Sequence, residues 1–187
     1  MKKSIITVAG SLGSGKSSTA KAVAKALGFR HFSSGDLFRS IATKRNLSVE
    51  ALNLTAEDQQ EIDHEVDELL KSMYETESGI VIDSRMAWHW MPDSFKIYLT
   101  LDPQTAATRI FSHIHDEGRI GEHAASVEDV LASISRRFAS EQKRYADLYQ
   151  VDVTNPLNFD MVINTKQNDL ISVTNMLLAS YNVWQSA

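Results

Sequence analysis

Apolar positions fall along this chain in two rhythms. Short β-branched runs, Ile5-Ile6-Thr7-Val8-Ala9 and Ile80-Val81-Ile82, have the form of central parallel strands buried on both faces. Lys96 to Leu101, closed by Asp102-Pro103, Met161-Val162-Ile163 and the shorter Arg30 to Ser33 read as three more strands. Between them the spacing becomes helical. One helix is expected from about Lys16 to Leu27, stopped by Gly28. A second runs from Gly35 toward Lys44, with Ser34 as its cap. Ser48 to Glu77 is a helical and strongly acidic stretch with an apolar stripe of Ile62, Val66, Leu69, Leu70 and Met73, stopped by Gly79. Thr105 to His115 is helical. Ser126 caps a long helix to about Tyr149, whose apolar side is Val130, Ile134, Phe138, Tyr145 and Leu148. A last helix covers roughly Leu170 to Tyr181.

Strands alternating with helices predict an α/β fold of three α/β/α layers, with a five-stranded parallel sheet between helices. A length of 187 residues suits one domain. Two stretches, 45–78 and 113–125, stand outside the alternation and read as insertions able to move. The lysines at positions 2 and 3 before an apolar run suggest a leader peptide, but the run is short and leads into a glycine-rich turn, so it reads as a strand. No stretch is long enough to span a membrane.

A formal net charge of −5 argues against a partner that is a nucleic-acid polymer. The absence of cysteine removes disulfides, thiolate metal sites and cysteine nucleophiles, and fits a cytoplasmic setting. The six histidines show no metal-ligand spacing backed by carboxylates.

The most specific pattern is Gly10-Ser11-Leu12-Gly13-Ser14-Gly15-Lys16-Ser17, an ungapped G-x-x-x-x-G-K-[ST] P-loop of the P-loop NTPase fold, placed between a strand and a helix. Small residues let successive N–H groups turn toward an anion, and the following helix adds its positive end. Lys16 supplies a charge for the β- and γ-phosphates of ATP, and Ser17 a hydroxyl for Mg²⁺. Asn164-Thr165-Lys166-Gln167-Asn168-Asp169 has its lysine one position away from a guanine-reading N-K-x-D, so it reads as a turn.

Arginines separate kinases from other P-loop proteins, because transfer between two phosphorylated substrates needs fixed positive charge. Arg39, Arg85 and Arg109 follow predicted strands or lie on the next helix, and Asp83 and Arg85 belong at a strand's C-terminal end, where ligands bind. Arg137 and Arg144 share a helix face. With Glu141 they also read as a plain intrahelical ion-pair series. Asp63 and Asp67, one turn apart, read either as a solvated acidic face or as an acceptor for a cytosine amino group.

Gly10 to Ser18, Ser33-Ser34-Gly35-Asp36-Leu37-Phe38-Arg39, Glu61 to Asp67, Val81-Ile82-Asp83-Ser84-Arg85, Glu141-Gln142-Lys143-Arg144-Tyr145 and Asp160 to Thr165 occur in this order over nearly the whole chain. In that ordered set the chain resembles the nucleoside monophosphate kinases, most closely the short archaeal-type cytidylate kinases. The resemblance implies a CORE of 1–44, 79–112 and 126–187, an NMP-binding insertion at 45–78 and a LID at 113–125. It implies ATP bound by Gly10 to Ser18 with Arg109 beside the base, and a nucleoside monophosphate, CMP or dCMP first, bound by Ser34, Gly35, Asp36, Arg39, Asp63, Asp67 and Arg85. Lys16, Asp83, Arg137 and Arg144 are the implied catalytic set, with Asp83 orienting Mg²⁺ through water, in an enzyme acting as a monomer.

Two departures from the family pattern stand out. Ser84 replaces the glycine of D-G-R or E-G-R, which predicts a less close backbone approach to the acceptor. Met86-Ala87-Trp88-His89-Trp90-Met91 is unusually bulky and either shapes the acceptor pocket or packs the sheet edge. A hydroxyl acceptor, as in shikimate or dephospho-coenzyme A kinases, is the competing enzymatic reading, with Asp36 or Asp83 as base. A nucleotide-dependent switch without turnover is the non-enzymatic one.

Overall fold

The computed structural model describes residues 3–117 and 125–187. Strand β1 (Ile5–Gly10) leads through the glycine-rich turn into α1 (Lys16–Leu27), followed by β2 (Arg30–Ser33), α2 (Ser34–Lys44), α3 (Val49–Asp58) and α4 (Glu61–Thr76). Then come β3 (Ile80–Asp83), α5 (Ala87–Trp90), β4 (Phe95–Thr100), α6 (Pro103–Glu117), α7 (Val127–Tyr149), a 3₁₀ turn at Pro156–Asn158, β5 (Met161–Asn164) and α8 (Leu170–Ser186). The five strands form one parallel sheet in the order β2-β3-β1-β4-β5. With β1 at the centre, the chain builds β2 and β3 to one side and β4 and β5 to the other. This arrangement opens a crevice at the strands' C-terminal ends.

Alternation along β1 distributes the core. Ile6 and Val8 join Val23, Val81, Ile97, Leu99 and Leu177 on the face covered by α1 and α8. Ile5 points the other way, to Leu70, Met73, Ile80, Ile82 and Met91 beneath α4 and α5. A third cluster, Ile41, Ala42, Leu52, Ala56 and Ile62, lies wholly among α2, α3 and α4. The stretch 45–78 therefore packs on α2 through an apolar centre distinct from the two under the sheet.

The structure corrects several expectations. The acidic stretch is two helices separated by Gln59 and Gln60, with the backbone leaving helical geometry at Gln59. Of its expected stripe, Ile62, Leu70 and Met73 are buried, whereas Leu69 is exposed. Ser33, not Ser34, caps α2, accepting from the Asp36 amide at 3.3 Å. On α7 the buried residues are Val130, Ser140, Glu141 and Arg144, so its inward face is mostly polar. Most of the expected lid, residues 118–124, lies outside the described residues. Among the described residues no helix is long and apolar enough to cross a membrane.

Gly10 sits at φ +144°, and an added Cβ would lie 2.2 Å from the Leu99 carbonyl oxygen of β4. Gly15 is also at positive φ, +85°, but has nothing within 4 Å of that position. Gly10→Ala, which adds a clash to backbone strain, is therefore expected to lower the unfolding free energy by about 3 kcal/mol, and Gly15→Ala, with backbone strain alone, by about 1 kcal/mol. Denaturant titration of both variants checks this. Equal losses would contradict the close packing of β1 on β4.

Candidate active site

A cleft of about 930 Å³ opens above β1 and β3. Its floor is the glycine-rich turn. Gly15 is the N-cap of α1 in left-handed geometry and offers no side chain to cap it, so the first amides of α1 are left for a ligand. The turn is tied down by the Ser11 carbonyl, which accepts from Ser14 Oγ and from Lys16 Nζ, each at 2.8 Å. Leu12 to Ser18 line the cleft, whereas Gly10 and Ser11 support it from below. Burial lowers the Lys16 pKa from 10.5 to about 7. Arg85 pushes the same way, and Asp83 and Glu141 partly oppose it.

Asp83, at the end of β3, is buried. Its Oδ2 accepts from Ser17 Oγ and, at 3.3 Å, from Ser33 Oγ. Arg85 follows two residues on. Its Nε donates to Glu141 and its Nη1 to the Gly10 carbonyl, while Trp88 Nε1 donates to the Arg85 carbonyl at 2.8 Å. Glu141 also accepts from Arg137 Nε at 2.9 Å, so one buried carboxylate carries two guanidinium groups. Burial alone would raise its pKa, but Arg85 and Arg137 hold it at about 2. Ser84 is buried and its Oγ accepts from the Met86 amide at 3.3 Å, closing the turn where the family pattern has glycine.

Arg144 lies deeper. Its Nε is 2.8 Å from Asp63 Oδ2, and its Nη1 donates to the Asn53 carbonyl, Asn53 Oδ1 and Ser140 Oγ at 3.2, 3.3 and 3.0 Å. Arg144 is thus engaged by α3, α4 and α7 together. Asp63 and Asp67 are both buried cleft residues, so the solvated-face reading fails. Val66 between them faces half inward and covers the end of the second core cluster. Arg109, on α6, donates to the Thr165 carbonyl at 2.8 Å at the opposite end of the cleft.

Lys16, Ser17, Ser34, Gly35, Arg39, Asp63, Asp67, Asp83, Arg85, Arg109, Arg137 and Arg144 all line this one cleft. Asp36 does not. It occupies the exposed first turn of α2 and pairs with Arg39 from outside, because residues three apart share the helix surface. Trp88 packs on Ala9, Tyr98 and Phe159, which settles its role as packing. Trp90 instead donates to Asp67. Three residues carry more of the site than their sequence context announced. Glu141 and Ser140 belong to a polar face at helical spacing with Arg137 and Arg144, a detectable signal. Asn53 is a buried amide on α3 with no motif around it. Among the described residues no group of three His, Cys, Asp or Glu forms a metal cluster.

Residues 5–167 match a family model described as the cytidylate kinase-like family. The cytidylate kinase of Haloarcula marismortui is 34% identical over 184 residues, covering 95% of this chain and 91% of its own. That of Thermoplasma volcanium is 35% identical over 165 residues, covering 86% and 82%. Among solved structures, an uncharacterised protein from Eubacterium ventriosum superposes with a TM-score of 0.69 at 16% identity, covering 95% of this chain and 98% of its own. A shikimate kinase from Bacteroides thetaiotaomicron superposes with a TM-score of 0.62 at 14% identity, covering 97% and 98%. These structural likenesses establish the α/β kinase fold.

The lowered Lys16 pKa has a consequence for stability. A lysine of pKa about 7 in the folded chain and 10.5 unfolded is held neutral by folding between those values. The unfolded state then binds more protons, so this group's share of stability rises with pH through that window and is unfavourable and constant below it. Lys16→Met is expected to raise the melting temperature near pH 6, with the difference from wild type shrinking as pH rises toward 10. A variant that melts lower at every pH would contradict this.

Proposed function

The chain belongs to the cytidylate kinase-like family of nucleoside monophosphate kinases, and we propose that it transfers the γ-phosphoryl group of ATP to CMP or dCMP, releasing ADP and the nucleoside diphosphate. The observation that carries this reading is the convergence of a P-loop, Lys16 and the guanidinium groups of Arg39, Arg85, Arg109 and Arg137 on one cleft. Two anionic substrates meeting head to head need that density of fixed positive charge.

In the proposed mechanism the amides of Leu12 to Ser18 and Lys16 hold the ATP phosphates, and Arg109 flanks the adenine. Arg39 and Arg85 hold the acceptor phosphate. Ser17 and Asp83 are hard oxygen donors already in contact at the foot of the cradle, a set that suits Mg²⁺, with Asp83 acting through water. The ion, when bound, offsets charge on the β- and γ-phosphate oxygens.

An acceptor phosphate oxygen attacks the γ-phosphorus in line. The new P–O bond forms as the bond to the β-phosphate oxygen breaks, and the electron pair leaves on ADP. No side-chain base is required, since the acceptor phosphate is already largely ionised. This agrees with Asp36 standing outside the cleft and Asp83 being engaged by Ser17 and Ser33. Lys16 and Arg137 neutralise the transferring group. The donors of Arg144 are directed to Asn53, Asp63 and Ser140, so its part in catalysis includes fastening the acceptor side. The insertion at 45–78, whose apolar cluster is distinct from those under the sheet, closes over the acceptor and excludes water.

A coupled ADP-release assay over CMP, dCMP, UMP and AMP, with shikimate and dephospho-coenzyme A as controls, is expected to show turnover greatest with CMP or dCMP. Turnover confined to the controls, or none at all, would overturn the reading. Lys16→Met is expected to cut kcat by about 100-fold or more. Arg85→Ala is expected to raise the acceptor KM about 10- to 100-fold with much less effect on the ATP KM. Equal effects on both would misplace Arg85.

A further inference from the structure

Asp63 and Asp67 are buried one helical turn apart on α4 and line the same cleft, yet they are held in unlike ways. Asp63 is neutralised by the Arg144 guanidinium at 2.8 Å. Asp67 is held by neutral donors. Its Oδ1 accepts from the Trp90 indole N–H at 2.8 Å and its Oδ2 from the Tyr149 hydroxyl. Indole N–H can only donate, so it requires an acceptor oxygen and disfavours a proton there. Each carboxylate oxygen keeps further acceptor capacity for a ligand. The two rings come from separate elements, α5 and α7, and brace each other edge to face with centroids 5.3 Å apart. The Lys71 ammonium sits over the Trp90 ring, 4.3 Å from its centroid.

The geometry points to Trp90 and Tyr149 as positioning residues that set the base specificity of the acceptor site: they hold Asp67 as a carboxylate that accepts from an exocyclic amino group and repels a carbonyl oxygen. This rests on the nucleoside monophosphate reading and deepens it. The acceptor phosphate is assigned to Arg39 and Arg85, so its base lies further along the cleft, where α4 supplies Val66 and Asp67. Cytosine presents an amino group at the position where uracil presents an oxygen. An ionised Asp67 separates the two, and a protonated Asp67, carrying an O–H donor, does not.

Burial pushes the Asp67 pKa up, and the Tyr149 and Trp90 hydrogen bonds oppose that rise. The other groups facing it are Asp63, His64 and Lys71 on α4, His89 on α5, and Tyr145 and Arg144 on α7. They are common to wild type and to variants at positions 90 and 149. Burial already prevails in wild type, so removing either donor raises the Asp67 pKa further and it takes up its proton at a higher pH. Selectivity for an amino base should therefore be lost at the acid end and return as pH rises.

The test compares wild type, Trp90→Phe, Tyr149→Phe and Asp67→Asn, measuring kcat/KM for CMP and UMP across the near-neutral pH range. In both Phe variants the CMP:UMP ratio is expected to fall about 10- to 100-fold at the acid end. The fall should come through the CMP KM rather than the ATP KM, and should shrink with rising pH. Asp67→Asn should show a low ratio that does not change with pH. Ratios equal to wild type at every pH, or equal losses for both substrates, would overturn the assignment. A wild-type enzyme that takes CMP and UMP alike would sink this inference alone, whereas failure to phosphorylate any nucleoside monophosphate would sink the functional reading beneath it.

Discussion

Cations crowd into one poorly hydrated cleft, and the rest of the architecture makes that tolerable. Lys16, Arg85, Arg137 and Arg144 would repel one another and resist burial if left alone. Glu141 stands between Arg85 and Arg137, Asp63 takes Arg144, and Asp83 faces Lys16 from the next strand. Each carboxylate belongs to a different element from at least one of its partners, so the charge pattern also fixes how α7, α4 and the sheet sit together. Burying such pairs adds little net stability, whereas breaking one leaves a bare charge inside. The value of the network is orientation. Glu141 grips Arg85 and Arg137 through Nε, which fixes the plane of each fork before any substrate arrives.

How much of this could be read from the sequence depends on how local each feature is. The P-loop is contiguous and its backbone geometry follows from residue size, so Gly10 to Ser17 was legible without the fold. The central strands β1 and β3 were legible because strands buried on both faces read as short β-branched runs. What escaped was set by distant partners. Arg144 finds Asp63 and Asn53 across 81 and 91 residues, and no spacing rule reaches that far. The same distance hid the buried polar residues of α7, Ser140, Glu141 and Arg144, which share an inward side with Val130. The break at Gln59 and Gln60 carries no glycine or proline to announce it. Asp36 was drawn into the site by its motif neighbours, although its position in the first turn of α2 turns it outward.

Fold and chemistry separate cleanly in this family of shapes. Structures at 14 to 16% identity share the sheet and its helices, which shows how little sequence the frame demands. The cleft demands much more. Ser84 illustrates the difference: a hydroxyl in place of a glycine is accommodated by accepting the Met86 amide, so the turn before Arg85 is shaped by a side chain. Trp88 then braces the Arg85 carbonyl from the packing side. A stretch that reads as mere bulk is the scaffold behind Arg85, one of the arginines lining the cleft.

The apolar cluster shared by α2, α3 and α4 draws its buried members from those helices and none from the sheet. Drift in its residues can reshape the pocket wall without disturbing register in the sheet or the bend that cradles phosphate. On the proposed reading, selection can thus retune which base is welcomed while the transfer machinery stays untouched. That independence gives one inherited engine a replaceable front end.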